Sequence, residues 1–128
     1  MYGPKIINLF ANAENVGILQ SASGVGVYTN PTTNEVFKMY LKIENNYIVN
    51  ASFKAYTGVA GVAVMSTLTE MLKNMAVENT SGLVEKDILK ELDELDKKFE
   101  YLLTDALESL RLAITDYQSK LEKENAQK

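Results

Sequence analysis

Thr32, Thr33 and Glu35 put two hydroxyls and one carboxylate within four residues, in the run Pro31-Thr32-Thr33-Asn34-Glu35. A carboxylate with a raised pKa can act as a general base, but no partner acid stands near it in the chain. The second stretch of interest, Tyr56-Thr57-Gly58-Val59-Ala60-Gly61, follows a strand pattern and opens a helical one. Such turns cradle phosphate through backbone N–H groups when the glycines and a Lys or Ser/Thr fall at fixed offsets. Here neither GxGxxG nor GxxxxGK[ST] is matched, so these glycines, like Gly24 and Gly26, are expected to serve close packing. Asp93, Asp96 and Glu100 could gather a hard cation, yet they lack the turn geometry of a calcium loop. Asp87, Lys90, Glu91, Glu94 and Lys98 are spaced for solvent-side pairs along a helix.

The chain contains no Cys, His or Trp. A thiolate nucleophile or ligand and an imidazole proton shuttle are therefore excluded, and any bound metal is expected to depend on oxygen donors. The reactive inventory is thin for an enzyme, and no enzymatic activity is expected. A net charge of −4 opposes nucleic-acid binding. Charge is uneven: residues 1–74 hold five Lys against four Glu, and residues 75–128 hold eight basic against thirteen acidic groups. No apolar run approaches the ~20 residues of a membrane helix, and Met1–Phe10 lacks the pattern of a signal peptide. A soluble, cytoplasmic protein without membrane contact is expected.

At 128 residues the sequence suits one domain, 1–128, with a tail from about 122 that should fray. Pro4–Phe10 has Ile6, Ile7 and Phe10 at helical spacing behind a proline suited to a first turn. Asn12–Gly17 reads as a turn, and Gly24–Tyr28 as a glycine-weakened edge strand. In 36–44, Phe37, Met39, Leu41 and Ile43 alternate with polar neighbours; in 47–56, Tyr47, Val49, Ala51 and Phe53 do the same. Matching those faces pairs Ile43 with Tyr47 and Phe37 with Phe53, across a three-residue loop Glu44-Asn45-Asn46. A buried helix over about Gly61–Met75 follows, then a linker at Asn79–Gly82. From Ile88 to Tyr117 apolar residues recur every three or four positions without Pro or Gly. That stripe fits either one long helix or two helices kinked near Asp96–Lys98. The fold class is α+β: a small antiparallel sheet of about three strands, packed on one side by helices.

In this order the elements resemble the U-type (IscU/NifU N-domain) iron–sulfur cluster assembly scaffolds. Phe10-Ala-Asn-Ala-Glu-Asn-Val-Gly17 resembles the family's F-x-N-P-x-N-V-G opening. Pro31–Met39 resembles its P-x-C-G-D stretch. Ala51-Ser-Phe-Lys-Ala-Tyr-Thr-Gly58 sits where relatives have A-x-F-K-x-Y/F-G-C-G, and Ala113–Tyr117 resembles the end of the last helix. The resemblance implies three cysteine ligands, an aspartate and often a histidine around a cluster. By that alignment Thr33, Gly58 and Leu102 occupy the cysteine positions, Glu35 the aspartate and Tyr101 the histidine. The chaperone-recognition stretch L-P-P-V-K appears as Leu95-Asp-Lys-Lys-Phe99, and loss of its prolines suggests that the last two helices could run together.

Iron–sulfur ligation needs thiolates, with His as at most a partial substitute. No cofactor and no metal is therefore expected, Glu35 being the only weak candidate ligand. The resemblance implies a role through protein–protein contact: docking a cysteine desulfurase or another assembly protein, or pairing with a scaffold subunit or itself through the C-terminal helix. The expected surfaces are Thr33–Glu35, Thr57–Ala60 and Tyr101–Asp105. An oxygen-ligand metal-handling module and a small ligand-binding domain on the recycled pocket are the alternatives.

Overall fold

A computed structural model describes residues 2–127. Helix α1 (Pro4–Ala11) precedes strands β1 (Gly24–Thr29), β2 (Val36–Glu44) and β3 (Tyr47–Tyr56). Helix α2 (Val59–Leu72), a 3-10 segment (Val77–Gly82), α3 (Glu85–Leu92), a 3-10 turn (Lys97–Phe99) and α4 (Tyr101–Ala126) complete the chain. The sheet is an antiparallel meander in the order β1-β2-β3. β1 is the edge that its two glycines suggest. The α+β class and the three-stranded sheet are as expected.

Alternation places Phe37, Met39, Leu41 and Ile43 in the core, as the sequence requires, and α2 and α4 both pack on that face. α4 comes so close to β1 that a Cβ on Gly26 would overlap the Ser109 carbonyl oxygen and the Ala113 nitrogen. Absence of a side chain is what lets a helix backbone lie against a strand here.

The hairpin differs from the expected register. Glu44 pairs with Tyr47 and Ile43 with Ile48, so the loop is the two residues Asn45-Asn46, with φ of 52° and 66°. Both are left-handed, the demand of a type I′ turn. Lys42 then pairs with Asn50, which leaves Val49 as an extra residue and reverses the side-chain parity beyond it. Ile48 is therefore buried, while Tyr47 and Val49 are 52% and 42% exposed. Ala51 and Phe53 face inward as expected, but opposite Leu41 and Met39. The chain after α2 explains the choice: Ile48 N–H donates to the Met75 carbonyl (2.8 Å), and Asn74 N–H donates to that of Ile48 (2.7 Å). That pairing holds Ile48 in place from the far side.

The stripe beyond residue 83 resolves into two helices. Asp93 takes a left-handed conformation (φ 65°) that ends α3 without help from proline, and α4 restarts at Tyr101. Of the two readings the stripe allows, the structure takes two helices, and the fusion that the missing prolines suggested does not occur. Leu95 and Phe99 still pack against the core from the connection, which is why the periodicity reads as continuous. In α1 only Ile6 is buried; Ile7 and Phe10 are exposed, so the stripe is narrower than its spacing suggested. α4 continues to Ala126 with residues 118–127 exposed.

The expected i,i+4 pairs of α3 give way to other uses. Asp87 accepts from the Val84 N–H (2.9 Å) at the helix start, Glu94 accepts from the Lys5 N–H (2.8 Å), and the Glu91 carbonyl accepts from Lys5 Nζ (2.7 Å). Glu94 and the Glu91 carbonyl fasten the N-terminal segment to the helical layer.

Candidate functional site

The loop between β1 and β2 is built around Asn30. Its Oδ1 accepts from the N–H groups of Thr32 (2.8 Å) and Thr33 (3.1 Å), the geometry of an Asx turn. The Asn30 N–H donates to the Glu35 carbonyl (2.9 Å) and Asn34 N–H to the Asn30 carbonyl (2.8 Å). Asn34 is left-handed at φ 65°, which an Asn tolerates. Thr33, exposed, spends its hydroxyl accepting from the Glu35 N–H at 3.2 Å. The loop is thus closed by local bonds, and the Thr33 hydroxyl serves the turn.

Side-chain bonds cross from this loop to α4. The Tyr101 hydroxyl donates to Glu35 Oε1 at 2.6 Å, joining the two residues assigned to the aspartate and histidine positions. One turn along α4, Asp105 Oδ2 accepts from Asn30 Nδ2 at 2.8 Å. Tyr101 and Asp105 are four residues apart, so both project from one helix face. The hydrogen bond to Glu35 pushes the Tyr101 phenol up to about 12, with burial adding to it. Burial pushes the Asp105 carboxyl above its ordinary range, and the negative charge of Glu35 adds to this, against the opposing bond from Asn30.

The other assigned positions diverge. Leu102, next to Tyr101, turns inward and is 2% exposed as a member of the hydrophobic core. Gly58 precedes α2 at its N-cap and is exposed. A Cβ there would lie 3.9 Å from the Tyr2 hydroxyl, and the Tyr2 ring stacks on Phe99 with centroids 5.4 Å apart. Gly61 faces the Thr57 side chain so closely that any Cβ would overlap it, and Thr57 Oγ1 donates to the Gly58 carbonyl (2.9 Å). Close packing, as expected of these glycines, is met at Gly61 against Thr57 but not at the open Gly58. Tyr2 and Phe99 also line a cavity of about 330 Å3 with Gly3, Ile6 and the Glu94–Asp96 segment.

Asn30 and Tyr2 carry no signal in the sequence, and Asp105 enters there only as the end of the expected Tyr101–Asp105 surface. Asp105 carried a signal, being a carboxylate inside the apolar stripe between Leu102 and Leu110, where burial demands a partner. Thr33, Gly58 and Leu102 offer a hydroxyl already engaged, a hydrogen and an alkyl group. This donor set does not fit an iron–sulfur cluster, which takes thiolates. Among the described residues no three His, Cys, Asp or Glu side chains gather as a metal group.

A helix-covered antiparallel meander, with its β1–β2 loop bonded to the start of α4, defines a small α+β domain. The NifU-like N terminal domain family matches residues 1–124. The iron–sulfur cluster assembly scaffold protein IscU of Aquifex aeolicus is 36% identical over 118 residues, covering 91% of this chain and 75% of its own length. IscU 1 of Archaeoglobus fulgidus is 32% identical over 117 residues, covering 91% and 76%. In shape, the crystal structure of a NifU-like protein (N-terminal) from Brucella abortus matches with a TM-score of 0.75 at 14% identity, over 94% of this chain and 96% of that one. The chain belongs to the NifU-like N-terminal domain family of iron–sulfur cluster assembly scaffolds.

Asp105 makes one pH prediction. Its folded-state pKa lies above the ordinary value of 3.8, so the folded state holds this proton more tightly than the unfolded chain. Its stabilising contribution is complete below 3.8 and is lost as pH rises through the elevated folded value. Urea titrations of the native protein and Asp105→Asn across that window should show the variant gaining relative stability as pH rises. A constant difference between the two would refute the sign.

Proposed function

We propose that this chain is a cluster-free member of its family that acts through protein–protein contact. The observation carrying this reading is the fate of the ligand positions: Leu102 belongs to the core, and Glu35 and Tyr101 are bonded to each other. Its partner is a cysteine desulfurase, another iron–sulfur assembly protein or a scaffold subunit, and its setting is cytoplasmic. Docking uses Thr33–Glu35, the Thr57–Ala60 turn through Thr57–Val59, and the Tyr101–Asp105 turn through its exposed residues, since Ala60 and Asp105 are themselves buried; the exposed end of α4 offers a further surface for self-pairing. The protein is not an enzyme. A metal-handling role through Glu35 is disfavoured because its carboxylate already accepts the Tyr101 hydroxyl.

Affinity capture from the native cell under anaerobic conditions, with metal analysis of the eluate, tests this reading. Recovery of an assembly component with a metal-free chain supports it. Recovery of none, or of a chain carrying iron, contradicts it.

A further inference from the structure

Both ends of the β1–β2 loop are tied to consecutive turns of one helix. Asn30 at its start bonds to Asp105, and Glu35 at its end bonds to Tyr101. Neither bond follows from the hairpin itself, since the partners are 75 and 66 residues apart in sequence. We propose that these two side-chain pairs form a latch that holds the β1–β2 loop on the start of α4 without any metal. This deepens the cluster-free reading and rests on it, because it assigns the ligand positions a new physical job.

The two rungs differ in character. Asp105 is 5% exposed and Asn30 supplies its polar partner across the sheet edge, so opening that rung strands a carboxylate in the core. The same Asn30 amide also organises the turn: its nitrogen reaches α4 while its oxygen gathers the Thr32 and Thr33 N–H groups. Loop shape and loop attachment are therefore coupled through one side chain. The outer rung is a charge-assisted bond from a phenol to a carboxylate, a strong and directional type. The raised Tyr101 pKa keeps that phenol protonated, hence a donor, throughout the neutral range.

Hydrogen exchange of the full chain, read at the Thr32–Glu35 amides with and without a chelator, tests the latch. Tyr101→Phe removes only a partly exposed hydroxyl and should speed exchange in that loop by about tenfold. Asn30→Ala should speed it further, and amides of α2 and of the β2–β3 pair should stay protected in Tyr101→Phe. Chelator should change nothing in the native protein. Unchanged loop exchange in both variants would overturn the latch, as would loop exchange in the native protein accelerated by chelator. Acceleration spread equally over the sheet and α2 in Tyr101→Phe would also overturn it, since the hydroxyl would then be part of general stability. A visible spectrum of the anaerobically reconstituted native protein separates the two ideas. A cluster band contradicts the cluster-free reading whatever the exchange shows, and a loop that exchanges freely in a cluster-free chain removes the latch alone.

Discussion

Leu102→Ala should lower the unfolding free energy by about 2–4 kcal/mol, as expected for emptying a buried leucine site. The position is 2% exposed and packs in one cluster with Leu103, Ala106 and Leu110 of α4 and with residues of the sheet and α2. Removing three carbons forfeits their transfer from water and leaves a cavity that close-packed neighbours fill only in part. The resemblance places a ligating cysteine at this position, so the size of the loss measures how far it has become core. Urea denaturation followed by circular dichroism gives the number. A change below about 0.5 kcal/mol, the range of ordinary surface substitutions, would mean that Leu102 is not a core residue.

Gly26→Val should cost about 3 kcal/mol or more through overpacking. Its new Cβ would meet the backbone of α4 at Ser109 and Ala113, and a backbone cannot turn aside as a flexible side chain would. Relief requires α4 to move off β1, which exposes Met39 and Phe53 in the same rows of the sheet. The expected signature is a lower denaturation midpoint and loss of exchange protection along β1. Gly82→Ala, where a Cβ would meet nothing within 4 Å, serves as the matched control and should stay within about 0.5 kcal/mol of the native protein. Equal stability of the two variants would contradict the close approach of helix and strand.

Period-two alternation was enough to identify β2 and β3 and to place Phe37, Met39, Leu41, Ala51 and Phe53 in the core, because that signal is local. It could not locate the bulge at Val49. Alternation carries no mark where the parity reverses, and the reversal depends on Met75, which pairs with Ile48 only after α2 has brought it back. A register that keeps Asn45-Asn46 as the whole loop and adds a bulge satisfies both the turn and the core. The sequence reading instead lengthened the loop to preserve the alternation.

The break between α3 and α4 could not be decided from the stripe, which fits one helix or two. Leu95 and Phe99 keep a helical spacing although they lie in a connection, since packing against a core needs only apolar side chains at suitable intervals. The stop signal was a single aspartate, Asp93, able to adopt a left-handed backbone. Of the candidate site, the missing thiols were evident from composition, and Glu35 and Tyr101 were placed by alignment with the family. Their contact, and the parallel one between Asn30 and Asp105, depends on how the sheet edge meets α4. Only a buried carboxylate in an apolar stripe hinted at it.

Anaerobic reconstitution of the purified chain with ferrous iron and sulfide, followed by desalting, a visible spectrum and iron and sulfide analysis, tests the central claim most directly. With a hydroxyl, a hydrogen and an alkyl group where thiolates would be needed, the protein should emerge colourless and without stoichiometric iron or sulfide. A sulfide-to-iron charge-transfer band, with iron and sulfide retained in fixed ratio to the chain, would contradict the account.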